Sequence, residues 1–383
     1  MANKFYDIAI IGGGASGLML AANLNLAGRS GIILEGSGKL GTKLLMSGGG
    51  RCNITHAGSV KEFLIAYGNA GPILRKCLYK HNNLELIEWL HQQGIDTVEE
   101  NGRIFPSSMK AKDLLNALVS KATANLWQIE TNARASALKK EEGLWNIGID
   151  GPGSVIASNL VIASGGITYP ETGSDGSVFS VLRDMCISVN EPRPALAPIY
   201  VNDYPYSELS GISVSDVIVS IRKNQRKVKS MSGDILFTHE GFSGPAILNI
   251  SKYAEAGSTL GLEYKKELSE LPRRMQRVIE DRAKGPSGDI RTKVLEALLS
   301  CDDFIISGVD PRGMVTAGGI ALDEIDFSSM KVKKFRNESA HAQGTGALYV
   351  IGEAIDADGI TGGYNLQLCW STACTAADSL QFC

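Results

Sequence analysis

Residues 5–35, FYDIAIIGGGASGLMLAANLNLAGRSGIILE, contain the pattern that decides the fold. Residues 5–11 form a short apolar run of strand type, and residues 15–27 carry apolar side chains at helical spacing. That spacing stops at Gly28, a residue type that often ends helices, and residues 30–34 return to a buried strand. A β-α-β unit has a right-handed crossover and parallel strands, so this stretch predicts an α/β sheet.

The turn between the first strand and the helix has the pattern G-x-G-x-x-G at Gly12, Gly14 and Gly17. In a dinucleotide-binding turn the first glycine permits the tight turn, the second lets the backbone approach a pyrophosphate, and the third lets the helix lie close to the sheet. Glu35 follows Gly17 by 18 positions and is placed to accept hydrogen bonds from an adenosine ribose. A carboxylate there disfavours the 2′-phosphate of NADP. The alternative interpretation is an ordinary tight strand–helix turn.

The segment after Glu35 favours FAD over NAD. Residues 41–53 (GTKLLMSGGGRCN) place Lys43, Arg51 and several small residues directly after the ribose-binding strand. Such a segment can wrap a second phosphate and pass beneath a flat ring, whereas NAD dehydrogenases more often continue into another helix. A flexible surface loop is the alternative interpretation.

Two later apolar strands are also followed by turns that contain glycine. Residues 160–166 (LVIASGG) are a buried strand followed by a turn at Gly165, which predicts either a return of the chain to a flavin or a bare strand-end turn. Residues 347–355 are an apolar strand that ends near Glu353, and a glycine pair then precedes a helix. We expect Glu353 to bind ribitol hydroxyls, and the N–H groups of residues 363–366 to face the N1/O2 edge of the flavin.

The composition excludes several classes of protein. The 383 residues are 44% hydrophobic and 21% charged with a net charge of −3, which argues against a disordered chain and against a dedicated nucleic-acid binder. Seven scattered cysteines without a CxxC pair predict neither a disulfide framework nor a metal site, and favour a reducing compartment. The first residues lack signal-peptide features and no apolar stretch reaches membrane-helix length, so we expect a cytoplasmic protein without a membrane partner.

Both ends of the chain are predicted to form one domain, with a second domain inserted between them. Glycines concentrate at the two ends, where ligand-binding turns require them, and prolines at 192, 194 and 198 mark a boundary. We therefore expect a discontinuous FAD-binding domain at 1–193 and 312–383, and an inserted domain at 194–311.

Periodicity and turn residues predict the remaining elements. The predicted helices are 59–66, 70–80, 83–93, 110–122, 174–185, 263–284, 289–300 and 364–380, and the predicted strands include 126–149 and 215–222. Residues 36–53 form a glycine-rich stretch, and residues 100–108 are predicted to be a loop.

Six segments together resemble the successive signatures of BaiN-like flavoproteins, which are identified as NAD(P)/FAD-dependent oxidoreductases. The resemblance covers essentially the whole chain in the family's order. The chain departs from the family in three features: a short helical insert, a long link at 332–345, and Cys369 and Cys374 in the last helix. These departures leave the expected FAD site intact, but they leave the substrate-binding residues unassigned. The six segments are GTKLLMSGGGRCNIT, ENGRIFPSSMKAKDLL, ASGGITYPETGSDG, GDILFTHEGFSGPAIL, MVTAGGIALDEID and GEAIDADGITGGYNLQ.

This resemblance implies a Rossmann-like FAD domain of the two-dinucleotide-binding-domain type, with an inserted β-barrel and a small helical subdomain. It also implies non-covalent FAD and a backbone contact to adenine from Ala133. The expected FAD-binding residues, from the motifs and the resemblance together, are Gly12, Gly14, Ala15, Ser16, Gly17, Glu35, Lys43, Arg51, Asn53, Ala133, Gly165, Glu353, Gly363, Asn365 and Leu366.

Three residues in family-like loops are candidates for proton transfer: Tyr169, His239 and Tyr364. One of them would donate a proton to the substrate while the flavin supplies hydride. The alternative for His239 is a structural hydrogen bond. We expect Cys52 to be a small packing residue and not a redox thiol, and His56 to be a solvated residue of a polar loop.

Three functions compete for this sequence. The first is NAD(P)H-dependent reduction of an electron-poor C=C bond, as in the steroid-type dienones of bile-acid metabolism. The second is an amine oxidase that uses O₂, and the third is a non-catalytic flavin-binding module associated with RNA or other proteins. Only the basic stretch 222–229 favours the third. No second strand-GxGxxG-helix unit is evident, so a nicotinamide would bind transiently, and we expect a small-molecule substrate and no nucleic-acid partner.

Overall fold

The chain divides into two compact units. The first is formed by Met1–Pro192 and Val315–Cys383, and the second by Arg193–Met314. The computed structural model describes residues 4–151, 153–264, 272–273, 276–277, 302–333 and 346–381. The helix predicted at 289–300, most of the helix predicted at 263–284 and most of the link at 332–345 lie outside the described residues.

The first unit is built on a sheet whose central strand is the first strand of the chain. In the described residues this sheet has nine strands, and its main path runs β18-β19-β20-β9-β1-β2-β6. The strands of this unit are β1 (Lys4–Ile11), β2 (Gly31–Leu34), β3 (Thr55–His56), β4 (Thr97–Glu100), β5 (Arg103–Pro106), β6 (Gln128–Glu130), β7 (Ala135–Glu141), β8 (Leu144–Ile149), β9 (Gly153–Ile162), β10 (Val189–Ala195), β17 (Val315–Ile320), β18 (Ile325–Asp326), β19 (Lys331–Val332) and β20 (Leu348–Val350).

Parallel pairing explains the continuous apolar runs of the central strands. In β1, Ile8 lies opposite Gly31 of β2, and Ile10 lies opposite Val161 of β9. Strand β20 is also parallel to β9, so the carboxyl ends of β20, β9, β1 and β2 meet at one edge of the sheet. Because helices and other strands cover both faces, Ile8 and Ile10 are almost fully buried. The α/β prediction is confirmed, and the carboxyl edge is where such sheets bind ligands.

Most predicted helices of the first unit are present. The first one is shorter than expected: it ends at Asn23, and the buried Leu24 and Leu26 extend the apolar pattern in non-helical backbone. The glycine-rich stretch at 36–53 contains a short helix. The helices are α1 (Ala15–Asn23), α2 (Thr42–Met46), α3 (Val60–Ala66), α4 (Gly71–Lys80), α5 (Asn83–Gln92), α6 (Ala111–Ala124), α7 (Ser177–Asp184) and α9 (Tyr364–Gln381).

Two predictions about strands need correction. The predicted loop at 100–108 contains β5, because Ile104 and Phe105 are buried and pair with residues of β4. The strand predicted at 347–355 is shorter, because Gly352 has a φ of +70° and the chain enters a 3₁₀ turn there. A Cβ atom at Gly352 would lie 2.6 Å from the Ser16 hydroxyl, so the last strand end packs directly on α1.

The second unit contains a closed barrel, which confirms the predicted inserted β-barrel. Its strand order is β11-β14-β13-β12-β15-β16, and Phe237 and Phe242 lie in its core. The elements are β11 (Ile199–Val201), β12 (Ser213–Lys223), β13 (Arg226–Phe237), β14 (Gly241–Ser243), α8 (Pro245–Ile250), β15 (Thr259–Glu263) and β16 (Asp302–Val309).

Candidate functional site

Of the three glycines of the fingerprint in the turn between β1 and α1, Gly12 and Gly17 leave no room for a side chain, whereas Gly14 is open. A Cβ atom at Gly12 would lie 2.4 Å from the Ala163 carbonyl oxygen, and one at Gly17 would lie 2.1 Å from the Gly12 carbonyl oxygen. No heavy atom lies within 4 Å of a Cβ atom at Gly14. The first N–H groups of a helix lack intrahelical partners, so those of Ala15 and Ser16 are available to an anionic group at this turn.

Glu35 is held in place by backbone N–H groups. Its Oε2 accepts a hydrogen bond from Gly13 N at 2.8 Å, and its Oε1 accepts one from Ser37 N at 2.7 Å. Its backbone carbonyl accepts a bond from Ala133 N at 2.8 Å, which places Ala133 beside the end of β2. A carboxylate oxygen has about two acceptor positions, so each oxygen of Glu35 retains one for a ligand hydroxyl.

The turn after β9 carries a buried hydroxyl group without a partner. The Ser164 Oγ atom makes no hydrogen bond within the described residues, although it is shielded from solvent. Gly165 beside it has a φ of +77°, and a Cβ atom there would lie 2.6 Å from the Ser174 hydroxyl. A buried polar atom without a partner is unfavourable, so a polar ligand at this strand end would satisfy it.

A cluster of polar side chains occupies the end of β20. Glu353 Oε2 lies 2.5 Å from Lys43 Nζ. Glu353 Oε1 accepts bonds from the Thr168 hydroxyl at 2.9 Å and from both the N–H and the hydroxyl of Thr316, at 2.7 and 3.0 Å. Lys43 also donates to the Thr168 hydroxyl at 3.2 Å. Four distant segments of the first unit therefore meet at one carboxylate.

The start of α9 is tied to the segment that leads into β3. With the Asn53 amide oriented to satisfy both neighbours, its oxygen accepts from Gly363 N at 3.1 Å and its nitrogen donates to the Thr55 carbonyl at 3.0 Å. The Asn365 side chain makes two hydrogen bonds with the backbone of Gly359. Its oxygen accepts one from the N–H at 2.8 Å, and its nitrogen donates one to the carbonyl oxygen at 3.0 Å. Asn365 thus fixes the loop before α9, and a ligand contact there would come from backbone N–H groups.

Tyr364 lies in an aromatic cluster with His56, Phe63 and Tyr67. The His56 ring stacks on the Tyr364 ring at 4.9 Å and 18°, and Phe63 meets it edge-on at 4.9 Å. The Tyr67 hydroxyl donates to the Tyr364 carbonyl at 2.6 Å. Within the described residues the Tyr364 hydroxyl has no hydrogen-bond partner, and burial of the side chain raises its pKa above the usual 10. This side chain is therefore a rigidly held, protonated phenol.

The prediction that His56 is solvated is wrong. The ring is stacked on Tyr364, and a side chain at Gly102 would collide with it, 2.7 Å from Nε2. His56 Nδ1 accepts a bond from Gly58 N at 3.1 Å, which places the proton of the neutral imidazole on Nε2. Burial lowers the pKa of His56. The sequence offered no signal for this position, because its partners lie in distant segments.

The remaining site residues predicted from the sequence, Arg51, Tyr169 and His239, lie at three different positions in the fold. Arg51 is half exposed, 3.5 Å from Glu100 and 4.9 Å from the Phe105 ring centre. Tyr169 has a left-handed backbone at φ +51° and starts a 3₁₀ turn. His239 is exposed in the turn between β13 and β14 of the second unit.

Cys52 is a buried packing residue, as predicted. It is 0% exposed, and burial raises its pKa to about 11, so its thiol is protonated and unreactive at neutral pH.

The structure thus brings Lys43 and Glu353 together, and joins Asn53 to Gly363. Sequence reasoning missed Ser164, Thr168 and Thr316. The available signal was a hydroxyl residue next to a glycine pair, in SGGIT and VTAGG. In the described residues no group of acidic, histidine or cysteine side chains could hold a metal ion, and no helix is long and apolar enough to cross a membrane.

The chain matches the family model described as HI0933-like protein Rossmann domain over residues 6–379. The chain belongs to this family. Curated relatives of this HI0933-like protein include the 3-dehydro-bile acid delta(4,6)-reductase of Clostridium scindens, 27% identical over 95% of this chain and 96% of the relative. The ribosomal RNA dihydrouridine synthase of Escherichia coli is also 27% identical, over 98% of each chain. These matches confirm the resemblance to BaiN-like flavoproteins.

Solved structures with a similar fold include two steroid dehydrogenases. The 3-ketosteroid-delta4-(5alpha)-dehydrogenase of Rhodococcus jostii has a TM-score of 0.55 at 13% identity, and covers 98% of this chain and 97% of its own. The 3-ketosteroid delta1-dehydrogenase of Sterolibacterium denitrificans has the same TM-score and identity, over 99% of this HI0933-like chain and 100% of its own. At this identity the likeness establishes the fold.

Proposed function

We propose that this FAD-dependent oxidoreductase reduces a C=C bond conjugated to a carbonyl group, with NADH or NADPH as the electron donor. The names of the curated relatives support this reaction type. A delta(4,6)-reductase saturates ring double bonds of a 3-oxo steroid, and dihydrouridine is uridine with a saturated ring double bond. In both substrates the double bond is electron-poor, because a carbonyl group withdraws density from it.

The observed side chains suit non-covalent FAD at the carboxyl edge. The N–H groups of Ala15 and Ser16 would face the pyrophosphate, Glu35 the adenosine ribose, and the N–H groups of residues 364–366 the flavin edge, since the N–H of Gly363 already donates to Asn53. We infer that residues 1–193 and 312–383 form the FAD-binding domain, with 194–311 as the inserted domain. When bound, FAD supplies the hydride.

Tyr364 carries the proposal, because reduction of such a double bond needs a proton as well as a hydride. Its hydroxyl has no hydrogen-bond partner among the residues that the structure describes, its ring is fixed by His56 and Phe63, and burial raises its pKa. A phenol that stays protonated at neutral pH can donate its proton to a carbanion-like carbon without being ionised beforehand. Tyr169 and His239 remain candidates with weaker support.

Tyr364→Phe should therefore lower the rate of substrate reduction by roughly 10²- to 10⁴-fold, while FAD binding and reduction by nicotinamide persist. Tyr67→Phe is the matched control, since its hydroxyl binds a backbone carbonyl and should affect mainly stability. The wild-type rate should fall only as the pH rises above the usual tyrosine pKa. A Tyr364→Phe enzyme with wild-type turnover would exclude this proton donor.

Anaerobic stopped-flow mixing with NADH or NADPH, followed by O₂, tests the reaction class. Fast reduction by a nicotinamide and slow reoxidation by O₂ are expected for a reductase. Absence of reduction by either nicotinamide, with reduction by an amine and rapid reoxidation, would identify an amine oxidase and contradict the proposal.

A second candidate substrate is a uracil base in ribosomal RNA, and the hairpin β12–β13 favours it. Its tip, at Asn224 and Gln225, has φ values of +48° and +64°, as in a tight two-residue turn. Arg226 and Lys227 beside the tip are exposed, and cations at a projecting tip attract phosphates. Reoxidation of the reduced enzyme by a ribosomal RNA fragment, or by a steroid dienone, distinguishes the two substrates.

A further inference from the structure

The His56 side chain is held in place by several neighbours. Its Nδ1 atom accepts a hydrogen bond from Gly58 N at 3.1 Å, and its ring stacks on the Tyr364 ring with the centroids 4.9 Å apart. The His56 carbonyl accepts a bond from the Asn83 side chain at 2.8 Å, which ties this residue to the start of α5. The fold therefore sets the position of the second ring nitrogen, Nε2.

The Nε2 atom of His56 is a hydrogen-bond donor that its neighbours do not use. Because Nδ1 accepts a bond, the proton of the neutral imidazole is on Nε2, and this N–H group has no partner within the described residues. Gly102 lies beside it with a φ of +77°, and a Cβ atom there would lie 2.7 Å from Nε2, so any other residue type would crowd this edge. His56 is only partly buried, as a residue that contacts a substrate must be.

The charge state of His56 suits a donor that keeps its proton. Burial lowers the pKa of the imidazole, and this effect outweighs the nearby charges of Glu62, Glu99 and Arg103, so the ring is neutral at neutral pH. A neutral imidazole can donate a hydrogen bond to a developing oxyanion without transferring its proton, as in enzymes where a neutral histidine polarises a substrate carbonyl.

Reduction of a conjugated C=C bond needs a group at the carbonyl oxygen as well as a proton donor. When a hydride adds to the β carbon, the π electrons of the C=C bond move towards the carbonyl group, and negative charge gathers on its oxygen. The α carbon then takes the phenol proton of Tyr364, the carbonyl re-forms, and the phenolate regains a proton from water. The α carbon and the oxygen are two bonds apart, so their partners must be neighbours. Tyr364 and His56 meet this requirement, because their rings stack on one another.

We propose that the Nε2–H group of His56 donates a hydrogen bond to the carbonyl oxygen of the substrate and stabilises the enolate that forms during reduction. This inference rests on the proposed function, because it takes a conjugated carbonyl as the substrate group. His56 neither gains nor loses a proton in this step. Steroid dienones and uracil both carry a carbonyl conjugated with the reduced double bond, so the same contact serves either substrate.

Two substitutions separate the N–H donor from the ring stack. His56→Phe keeps an aromatic ring against Tyr364 but has no N–H group, whereas His56→Gln loses the ring and places an amide N–H near the position of Nε2. Reoxidation of the nicotinamide-reduced enzyme by the steroid dienone or the ribosomal RNA fragment is followed in single turnovers. His56→Phe should slow this step by roughly 10²- to 10³-fold, and His56→Gln should remain within about 10-fold of wild type. Reduction of the enzyme by nicotinamide should be unchanged in both variants.

Binding of 4-nitrophenol to the FAD-loaded enzyme gives a second readout that requires no turnover. The anion of this phenol resembles an enolate, so loss of the donor in His56→Phe should raise its dissociation constant by roughly 10- to 100-fold. His56→Gln should keep most of the affinity. His91→Phe, at an exposed histidine of α5, is the matched control and should change neither the affinity nor the turnover.

The opposite order of the two variants would overturn the inference. If His56→Phe binds the phenol and turns over like the wild type while His56→Gln is impaired, only the ring stack matters and no N–H group contacts the substrate. His56→Leu replaces His56→Phe if that variant does not fold, with the same expected losses. A wild-type enzyme that binds the phenol through His56 but is not reduced by a nicotinamide would refute the proposed electron donor and still support this contact.

Discussion

The two strand ends of the candidate site, at Gly12–Glu35 and at Gly352–Leu366, are built in different ways. In the first, Glu35 is held by backbone N–H groups of residues 13 and 37, which lie 22 and 2 residues away within the same β-α-β unit. In the second, Glu353 is held by side chains from residues 43, 168 and 316. The first strand end is therefore specified locally, whereas the second depends on distant segments of the folded chain.

This difference affects what a substitution does at each end. Where backbone groups supply the contacts, a substitution mainly changes the volume that the side chain occupies. Where distant side chains supply them, one substitution leaves several hydrogen-bonding groups without a partner. Three predictions follow this contrast, in order of decreasing effect on stability.

The largest effect is expected within the locally specified turn. Gly17→Ala puts a methyl group 2.1 Å from the Gly12 carbonyl oxygen, and only a shift of backbone can relieve this overlap. We expect a loss of stability on the order of 4 kcal/mol, measured by denaturant unfolding. Gly14→Ala is the matched control, since its methyl group meets nothing within 4 Å, and it should weaken FAD binding without comparable destabilisation. Equal stability of the two variants would contradict the packing argument.

A smaller loss is expected when the two glutamates are compared in the apoprotein. Glu353→Ala removes the acceptor of Lys43, Thr168 and Thr316, and should cost about 3 kcal/mol of unfolding free energy. Glu35→Ala removes the acceptor of only two backbone N–H groups, those of residues 13 and 37, and should cost about 1–2 kcal/mol. If Glu35→Ala proves the more destabilising of the two, the contrast between the strand ends is wrong.

The smallest effect concerns His56, whose stack on Tyr364 also joins distant segments. Burial lowers its pKa, while Glu62 and Glu99 act to raise it and Arg103 to lower it. The unfolded state therefore binds a proton more readily, and stability should fall as the pH decreases below the usual value of 6.5. His56→Gln should lose part of this dependence when melting temperatures are compared at about pH 7.5 and about pH 5.5. His91→Gln, at an exposed histidine, should retain the wild-type dependence.

The same contrast explains what could be predicted from sequence. The Gly12–Glu35 turn, the parallel sheet and most helices follow from local patterns of glycine and apolar residues, so their prediction succeeded. Thr316 was missed, because the hydroxyl residue near a glycine pair in VTAGG does not indicate which carboxylate it contacts, and that carboxylate lies 37 residues later. Residues 100–108 were misjudged as a loop because the short strand there is stabilised by tertiary burial and not by propensity.

The position of β20 has a consequence for how the protein is made. This strand, Leu348–Val350, pairs with β9, yet about 190 residues separate the ends of the two strands along the chain. At a translation rate of about 5–20 residues per second, β9 leaves the ribosome roughly 10–40 s before its partner. During that interval β8 can already pair with the first half of β9, but residues 160–162 of β9 have an unpaired edge, the kind of edge that recruits other strands. We therefore expect premature termination before residue 348 to yield aggregated protein, and nascent chains of intermediate length to depend on chaperones.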